Sequence, residues 1–298
     1  MPLVGQIALK PYWQDTKNRL RLYHGDCLAV LARLPPHSVD LVFADPPFNT
    51  GYGYDQYDDS SKTDQEYLSW SLQWLEALHR VLRPTGSIYV ASGVPLQAEL
   101  RRIMDQVGFR WRDTICWHYT FGPRQLKRFT PSWVAIHYAT MSGRWTWNPE
   151  AIMIPSSRQL IYNDRRAVKA GKVPDNVWAL TPSQQTQCWQ PWHNCWQLSR
   201  VCGTFKERTN HPCQMPLSLL ERIIRVSSQP EDVVLDPFLG SGTTAAAALA
   251  AGRHAWGIEL SEAYLRDCCL PRLQPLLEEI SGSPHPQHPY TPPTPPSR

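Results

Sequence analysis

The chain has few of the features that mark small secreted, metal-stapled or membrane proteins. Its eight cysteines contain no C-x-x-C pair, so the usual spacing of a zinc ribbon or a dithiol redox site is missing. Cys188, Cys195 and Cys202 recur every seven residues near His193 and His211, which matches no common zinc pattern. The start, Met1-Pro2-Leu3-Val4-Gly5-Gln6, lacks a basic segment followed by an apolar stretch. No apolar run approaches the ~20 residues that cross a bilayer. A soluble, cytoplasmic protein with free thiols is expected, without membrane or metal. At 298 residues the chain is long enough to bury a core without such staples.

Charge is scarce overall and uneven in place. Residues 118–210 hold twelve Lys or Arg against four acids, a surplus of eight, whereas the rest of the chain carries eighteen basic and twenty-two acidic residues, net −4. A basic middle between slightly acidic flanks predicts an element that faces a polyanion, carried by an otherwise ordinary enzyme core. Arg124, Lys127 and Arg128 form the first candidate group for phosphate contacts; Arg165, Arg166, Lys169 and Lys172 form the second.

Around this middle the pattern is that of an α/β protein. Leu20 to Asp26 alternates like a short strand ending in a Gly-Asp turn, and Cys27 to Leu34 can form a brief helix before Pro35-Pro36. Val39 to Ala44 reads as a buried strand. Thr63-Asp64-Gln65-Glu66 offers a capping box to a helix with Leu68, Leu72, Leu75, Leu78 and Leu82 at helical spacing. Arg83-Pro84-Thr85-Gly86 ends it before a strand over Ser87–Ala91, a helix over Leu96–Val107 and a strand over Trp111–Tyr119. Such alternation predicts a twisted, mostly parallel sheet with helices on both faces. From Thr120 to Asn210 the rhythm breaks among irregular prolines and seven of the thirteen tryptophans, so this stretch reads as an irregular insertion. Order returns with a helix from Pro216, a strand Val233–Asp236, an alanine-rich helix Thr243–Ala251 and a strand His254–Glu259. The predicted division is a core half over 1–119, the insertion over 120–210, a second core half over 211–280, and a disordered proline-rich tail over 281–298.

Two segments carry chemistry. Asp45-Pro46-Pro47-Phe48 follows a buried strand directly. Asp45 and the Pro46 carbonyl can each accept one hydrogen of an amino group, and Phe48 can stack on a planar ring. An aromatic amine is a poor nucleophile because its lone pair is delocalised, and two such acceptors would localise that pair. Asp236-Pro237-Phe238-Leu239-Gly240-Ser241-Gly242-Thr243 is the other segment: a strand ending in an acid, then a glycine loop opening a helix whose free amides favour a carboxylate. The loop has neither the dinucleotide spacing nor the lysine of a phosphate loop. Glu259, at the tip of the next strand, is placed to accept hydrogen bonds from both ribose hydroxyls of a nucleoside.

Together these motifs resemble those of the DNA amino-methyltransferases acting on adenine N6 or cytosine N4, over about residues 20–270. Tyr23-His24-Gly25-Asp26 is similar to the family's acidic turn near the donor's adenine. Asp45-Pro46-Pro47-Phe48 matches its catalytic tetrapeptide, His211-Pro212-Cys213-Gln214-Met215-Pro216 the segment over the donor's methionine, and Asp236 to Gly242 the donor loop. Catalytic motif first, variable region next and donor loop last is the arrangement of the β class. The resemblance implies a Rossmann-like, S-adenosyl-L-methionine-dependent fold, with Asp45, Pro46, Pro47 and Phe48 catalytic. It assigns the donor to Asp26, His211, Gln214, Asp236, Phe238, Gly240, Ser241, Gly242, Thr243 and Glu259, and DNA recognition to the insertion. Two departures stand out: Met215 replaces a common lysine, and Phe48 a more frequent tyrosine.

The implied partner is double-stranded DNA, with a cognate restriction endonuclease in some settings, and the protein a monomer or homodimer. Asp at the first catalytic position resembles the adenine enzymes, whereas cytosine enzymes more often carry Ser. Pro212-Cys213-Gln214 also resembles the nucleophile motif for methylation at cytosine carbon 5, but those enzymes place the donor loop before the cysteine. An RNA or protein amino-methyltransferase is opposed by chain order. A DNA-binding module without catalysis is opposed by the intact acids and glycines.

Overall fold

The computed structural model describes residues 9–51, 53–59, 61–119, 126–127, 129, 131–160, 162–178 and 214–282. In chain order these form β1 (Trp13–Gln14), β2 (Leu20–His24), α1 (Cys27–Leu31), β3 (Val39–Ala44), α2 (Asp64–Val81), β4 (Leu82–Ser92), α3 (Gln97–Val107), β5 (Arg110–His118) and β6 (Trp133–Thr140). A 3-10 turn (Pro149–Ile152) precedes α4 (Ser157–Leu160) and β7 (Val177–Trp178). Then come α5 (Leu217–Ser227), β8 (Val233–Asp236), α6 (Thr243–Ala250), β9 (His254–Glu259), α7 (Glu262–Tyr264), a π-helical stretch (Leu265–Cys269) and α8 (Leu270–Gly282).

The nine strands lie in the order β1-β2-β9-β8-β3-β4-β6-β5-β7. From β2 to β4 every pairing is parallel; β1 joins one edge antiparallel, and β6 and β5 continue the other side antiparallel. The expected sheet is therefore present with a mixed end. α1, α2 and α3 cover one face and α5, α6 and α8 the other, each burying its own hydrophobic cluster.

Local sequence explains most boundaries. α2 begins at a complete capping box: Glu66 N–H donates to Thr63 Oγ1 at 3.3 Å and Thr63 N–H to Glu66 Oε2 at 2.8 Å. Its buried face is Tyr67, Ser71, Trp74, Leu75, Leu78 and Val81. This is turned by one residue from the expected leucine stripe, because Tyr67 and Trp74 offer more apolar area to the core than Leu68 and Leu72. β4 starts at once at Leu82, earlier than expected. The extra residues bulge, since Leu82 pairs with Val39 but Ser87 already with Leu41. Gly86 permits the bulge: a Cβ there would stand 2.9 Å from Leu82 and 3.0 Å from the Asp40 carbonyl.

One expectation is corrected. Trp133–Thr140, placed by sequence in the irregular insertion, is β6, lying between β4 and β5 and buried along almost its whole length. A strand covered on both faces shows no alternation, so this one carries no readable period. His137 is satisfied across strands, its Nε2 3.3 Å from Ser92 Oγ and its Nδ1 3.0 Å from Thr114 Oγ1. Burial lowers its pKa to about 4, so it is neutral at pH 7. Among the described residues no helix is long and apolar enough to cross a membrane, and no cluster of three His, Cys, Asp or Glu could hold a metal. His193, Cys188, Cys195, Cys202 and most of the tail lie outside the described residues.

Candidate active site

The parallel core brings the two chemical segments together. β3 and β8 are direct neighbours, Leu41 opposite Val234 and Val42 opposite Leu235, so Asp236 lies beside Phe43 and Asp45 leaves the sheet just beyond. On the other side of β8, Asp236 pairs with Gly257 of β9, and Glu259 pairs in turn with His24 of β2, one residue before Gly25-Asp26. The carboxyl ends of four strands thus deliver Asp45, Asp236, Glu259 and Asp26 to one edge, where open α/β sheets bind ligands. All four line one cavity of about 330 Å³. Among the described residues its only basic lining residue is Lys62, so these residues suit a cationic, hydroxyl-bearing ligand better than a phosphate.

The glycine loop is tied from every side. Gly240 and Gly242 take φ of +52° and +77°, which glycine adopts without steric cost. Asp236 accepts from the Phe238 N–H at 2.9 Å and from Thr244 Oγ1 at 2.6 Å. Glu259 accepts from the Gly240 N–H at 2.8 Å and the Ser261 N–H at 2.9 Å, one on each oxygen. The Leu260 N–H adds a third backbone hydrogen bond, so of the carboxylate's about four acceptor directions one stays open to a ligand hydroxyl. Cys269 Sγ donates to the Gly240 carbonyl at 3.0 Å, and Arg272 to Thr243 Oγ1 at 2.8 Å. Burial, offset in part by these hydrogen bonds, pushes Asp236 up to about 7, and burial also raises Glu259. Phe238 forms part of the cavity wall and rests 5.7 Å from the ring of Trp70 and 5.5 Å from that of Trp74.

The tetrapeptide is held more lightly. Asp45 and Pro47 line the cavity, whereas Pro46 is buried and Phe48 packs on the core outside it. Phe48 stands close against Gly93 at the end of β4, where an added Cβ would come within 3.2 Å of its ring. Immediately after Phe48, the N–H groups of Asn49 and Thr50 donate to the buried Asp59 carboxylate at 2.8 and 2.9 Å. Asn49 takes a left-handed φ of +57° to allow this.

Among the expected donor residues, Asp26, Phe238, Gly240, Ser241 and Thr243 line the cavity along with both acids. Asp26 also caps α1, accepting from Leu28 and Ala29 N–H. Gly242 instead backs onto Cys269 and Leu273. Gln214 is buried away from the cavity, which Met215 lines in its place. His211, Cys213, Arg124 and Arg128 lie outside the described residues. Lys127, Arg165 and Lys169 are exposed. Arg166 and Lys172 are paired with Asp164 at 3.0 Å and Asp175 at 2.7 Å, which reduces the local positive field. Sequence reasoning missed Tyr57, Lys62, Trp70 and Tyr264 in the wall. The first two sit in an aperiodic loop. Trp70 had a signal, an aromatic one turn before Trp74 on the capped helix.

Comparisons with known proteins agree with this geometry. The N6/N4 methyltransferase family model, described as DNA methylase, matches residues 39–268. The DNA adenine methyltransferase YhdJ of Escherichia coli (strain K12) is 34% identical over 266 residues, covering 82% of this chain and 80% of that protein. The type II methyltransferase M.HpaI of Haemophilus parainfluenzae is 32% identical over 247 residues, covering 82% and 71%. Among solved structures, the PvuII DNA methyltransferase (cytosine-N4-specific) superposes with a TM-score of 0.62 at 20% identity, covering 92% of this chain and 96% of that one. The M1.HpyAVI–SAM complex gives 0.55 at 21%, covering 85% and 98%. The chain therefore belongs to the N6/N4 DNA methylase family and is a DNA methyltransferase.

Proposed function

We propose that this protein transfers a methyl group from S-adenosyl-L-methionine to the exocyclic amino group of a base flipped out of duplex DNA, with adenine N6 as the target. The observation that carries this reading is that Asp45 and the glycine loop, far apart in sequence, line the same cavity. Asp26, Asp236 and Glu259 in the cavity suit the sulfonium and ribose of that donor, and the amides at the start of α6 suit its carboxylate. A neighbour solved as a complex with the donor supports the assignment. The relative named a DNA adenine methyltransferase, together with Asp at the head of the tetrapeptide, favours adenine.

When bound, S-adenosylmethionine supplies an electrophilic methyl carbon. Asp45 accepts one amino hydrogen and the Pro46 carbonyl the other, which localises the nitrogen lone pair. Asp45 then takes the proton that nitrogen sheds as its new bond forms. Phe48 stacks on the base, and Gly93 sets where that ring stands. Pro47 shapes the turn. Gln214 and His211 belong to the segment over the donor's methionine, and Gly242 lets the loop close against α8. The region 120–210 other than β6 is assigned to DNA recognition, through Arg124, Lys127, Arg128, Arg165 and Lys169, with Arg166 and Lys172 engaging DNA only by releasing their acids. A cognate restriction endonuclease is the favoured partner, because relatives are named type II methyltransferases.

Incubation with donor and mixed-sequence duplex, digestion to nucleosides and mass identification tests the reading. N6-methyladenine is expected. N4-methylcytosine would move the target to cytosine, and 5-methylcytosine abolished by Cys213→Ala would overturn the role of Asp45.

A further inference from the structure

The loop that leads out of the tetrapeptide does not end its work there. Tyr54, Gln56 and Tyr57 line the donor cavity, as do Leu260, Ser261 and Tyr264 just after β9. The two segments are tied directly at Asp55. Ser261 Oγ donates to Asp55 Oδ2 at 2.7 Å, and the Asp55 N–H donates to the Tyr264 hydroxyl at 3.2 Å. These contacts join positions more than two hundred residues apart. Ser261 also donates its backbone N–H to Glu259, the acid assigned to the ribose. The near end of the same loop is fastened by Asp59, which grips Asn49 and Thr50 directly after Phe48.

We propose that Asp55 is a positioning residue: through Ser261 it fastens the described residues of the 49–62 loop against the donor cavity, so that donor release and loop opening are one event. The inference rests on the donor reading above. Three observations single out this latch. Asp55 is exposed, so no part of the core requires its carboxylate. Its partner Ser261 itself lines the cavity and stands two residues from Glu259. The loop it holds is also the continuation of the base-gripping turn, so a seated donor and an ordered tetrapeptide favour each other. A hydroxyl–carboxylate hydrogen bond at this exposure slows opening by about tenfold.

The test is the release rate of S-adenosylhomocysteine from the full-length protein, followed by stopped-flow tryptophan fluorescence, Trp70 lying in the cavity wall. Asp55→Ala should release it about tenfold faster than the unaltered protein. Asp55→Asn keeps an acceptor oxygen and should stay within about threefold. Ser261→Thr should behave like Asp55→Asn, and Ser261→Ala like Asp55→Ala. Chymotryptic cleavage after Tyr54 or Tyr57 should be suppressed by S-adenosylhomocysteine in the unaltered protein and not in Asp55→Ala. Release from Asp55→Ala within about twofold of the unaltered protein, or equal rates for Asp55→Ala and Asp55→Asn, would overturn the latch alone. If the unaltered protein does not bind S-adenosylhomocysteine, the donor reading falls and the latch with it.

Discussion

Two loops meet at the cavity and are built in opposite ways. From Asp236 to Thr244 almost every residue is buried, and the loop is braced by its own Asp236 and by Glu259, Cys269 and Arg272 from neighbouring elements. From Asn49 to Lys62 most described residues are exposed, and the loop is fastened at Asp59 and at Asp55. A segment that must present fixed donors to a ligand profits from rigidity. A segment that must let a base and a donor in and out needs a few breakable ties. The contrast assigns shape to the donor loop and motion to the catalytic one.

The sharpest way to separate the two is Asp45→Ala. Methyl transfer should fall about a thousandfold, while donor binding, measured by equilibrium fluorescence, stays near that of the unaltered protein. Equal losses in both would mean that Asp45 serves the donor loop. Next in size is Asp59→Ala, which removes the acceptor of two backbone N–H groups. Turnover should drop about a hundredfold through disorder of the turn after Phe48, again with donor affinity retained and the unfolding midpoint little changed.

Gly257→Ala attacks the rigid loop instead. An added Cβ would stand 2.5 Å from Leu239, a buried residue of the loop itself. Overpacking should cost about 1–3 kcal/mol, read as a lower denaturant midpoint together with weaker donor binding. Asp55→Ala should leave that midpoint unchanged.

The smallest effect is a pH dependence. With its pKa raised to about 7, Asp236 is largely protonated in the free protein below pH 7. A cationic donor favours the ionised form, so its affinity should rise about tenfold from pH 6 to pH 8 and level off above. Asp236→Asn should flatten the profile. For folding the sign is reversed: a raised carboxyl pKa contributes stability at acidic pH, and the contribution is lost as pH rises through about 7. A flat profile in the unaltered protein would remove Asp236 from the donor's charge balance.

The strands of the parallel core, the capped helix, the tetrapeptide and the donor loop were legible because each is written in contiguous residues. Val39–Ala44 is apolar at every position but Asp40, Thr63 and Glu66 are three apart, and Gly240 and Gly242 flank one serine. β6 was not legible, because a strand buried on both faces and carrying His137 lacks the alternation that marks a strand. The wall residues Tyr57, Lys62 and Tyr264 were hidden for another reason. Their value lies in what they oppose across the cavity, and no local spacing encodes that.

The amino-acid sequence by itself determined which groups are available: an acid and a carbonyl for an amine, glycines for a tight turn, and an acid at the tip of the next strand. Only the tertiary structure decided that they share a cavity, because the register of β3 against β8 and of β9 against β2 brings distant chain segments to one edge. It also decided which loop is braced and which is merely latched. Bracing depends on partners supplied by other elements, such as Cys269 and Arg272, and a linear pattern does not specify where those will stand.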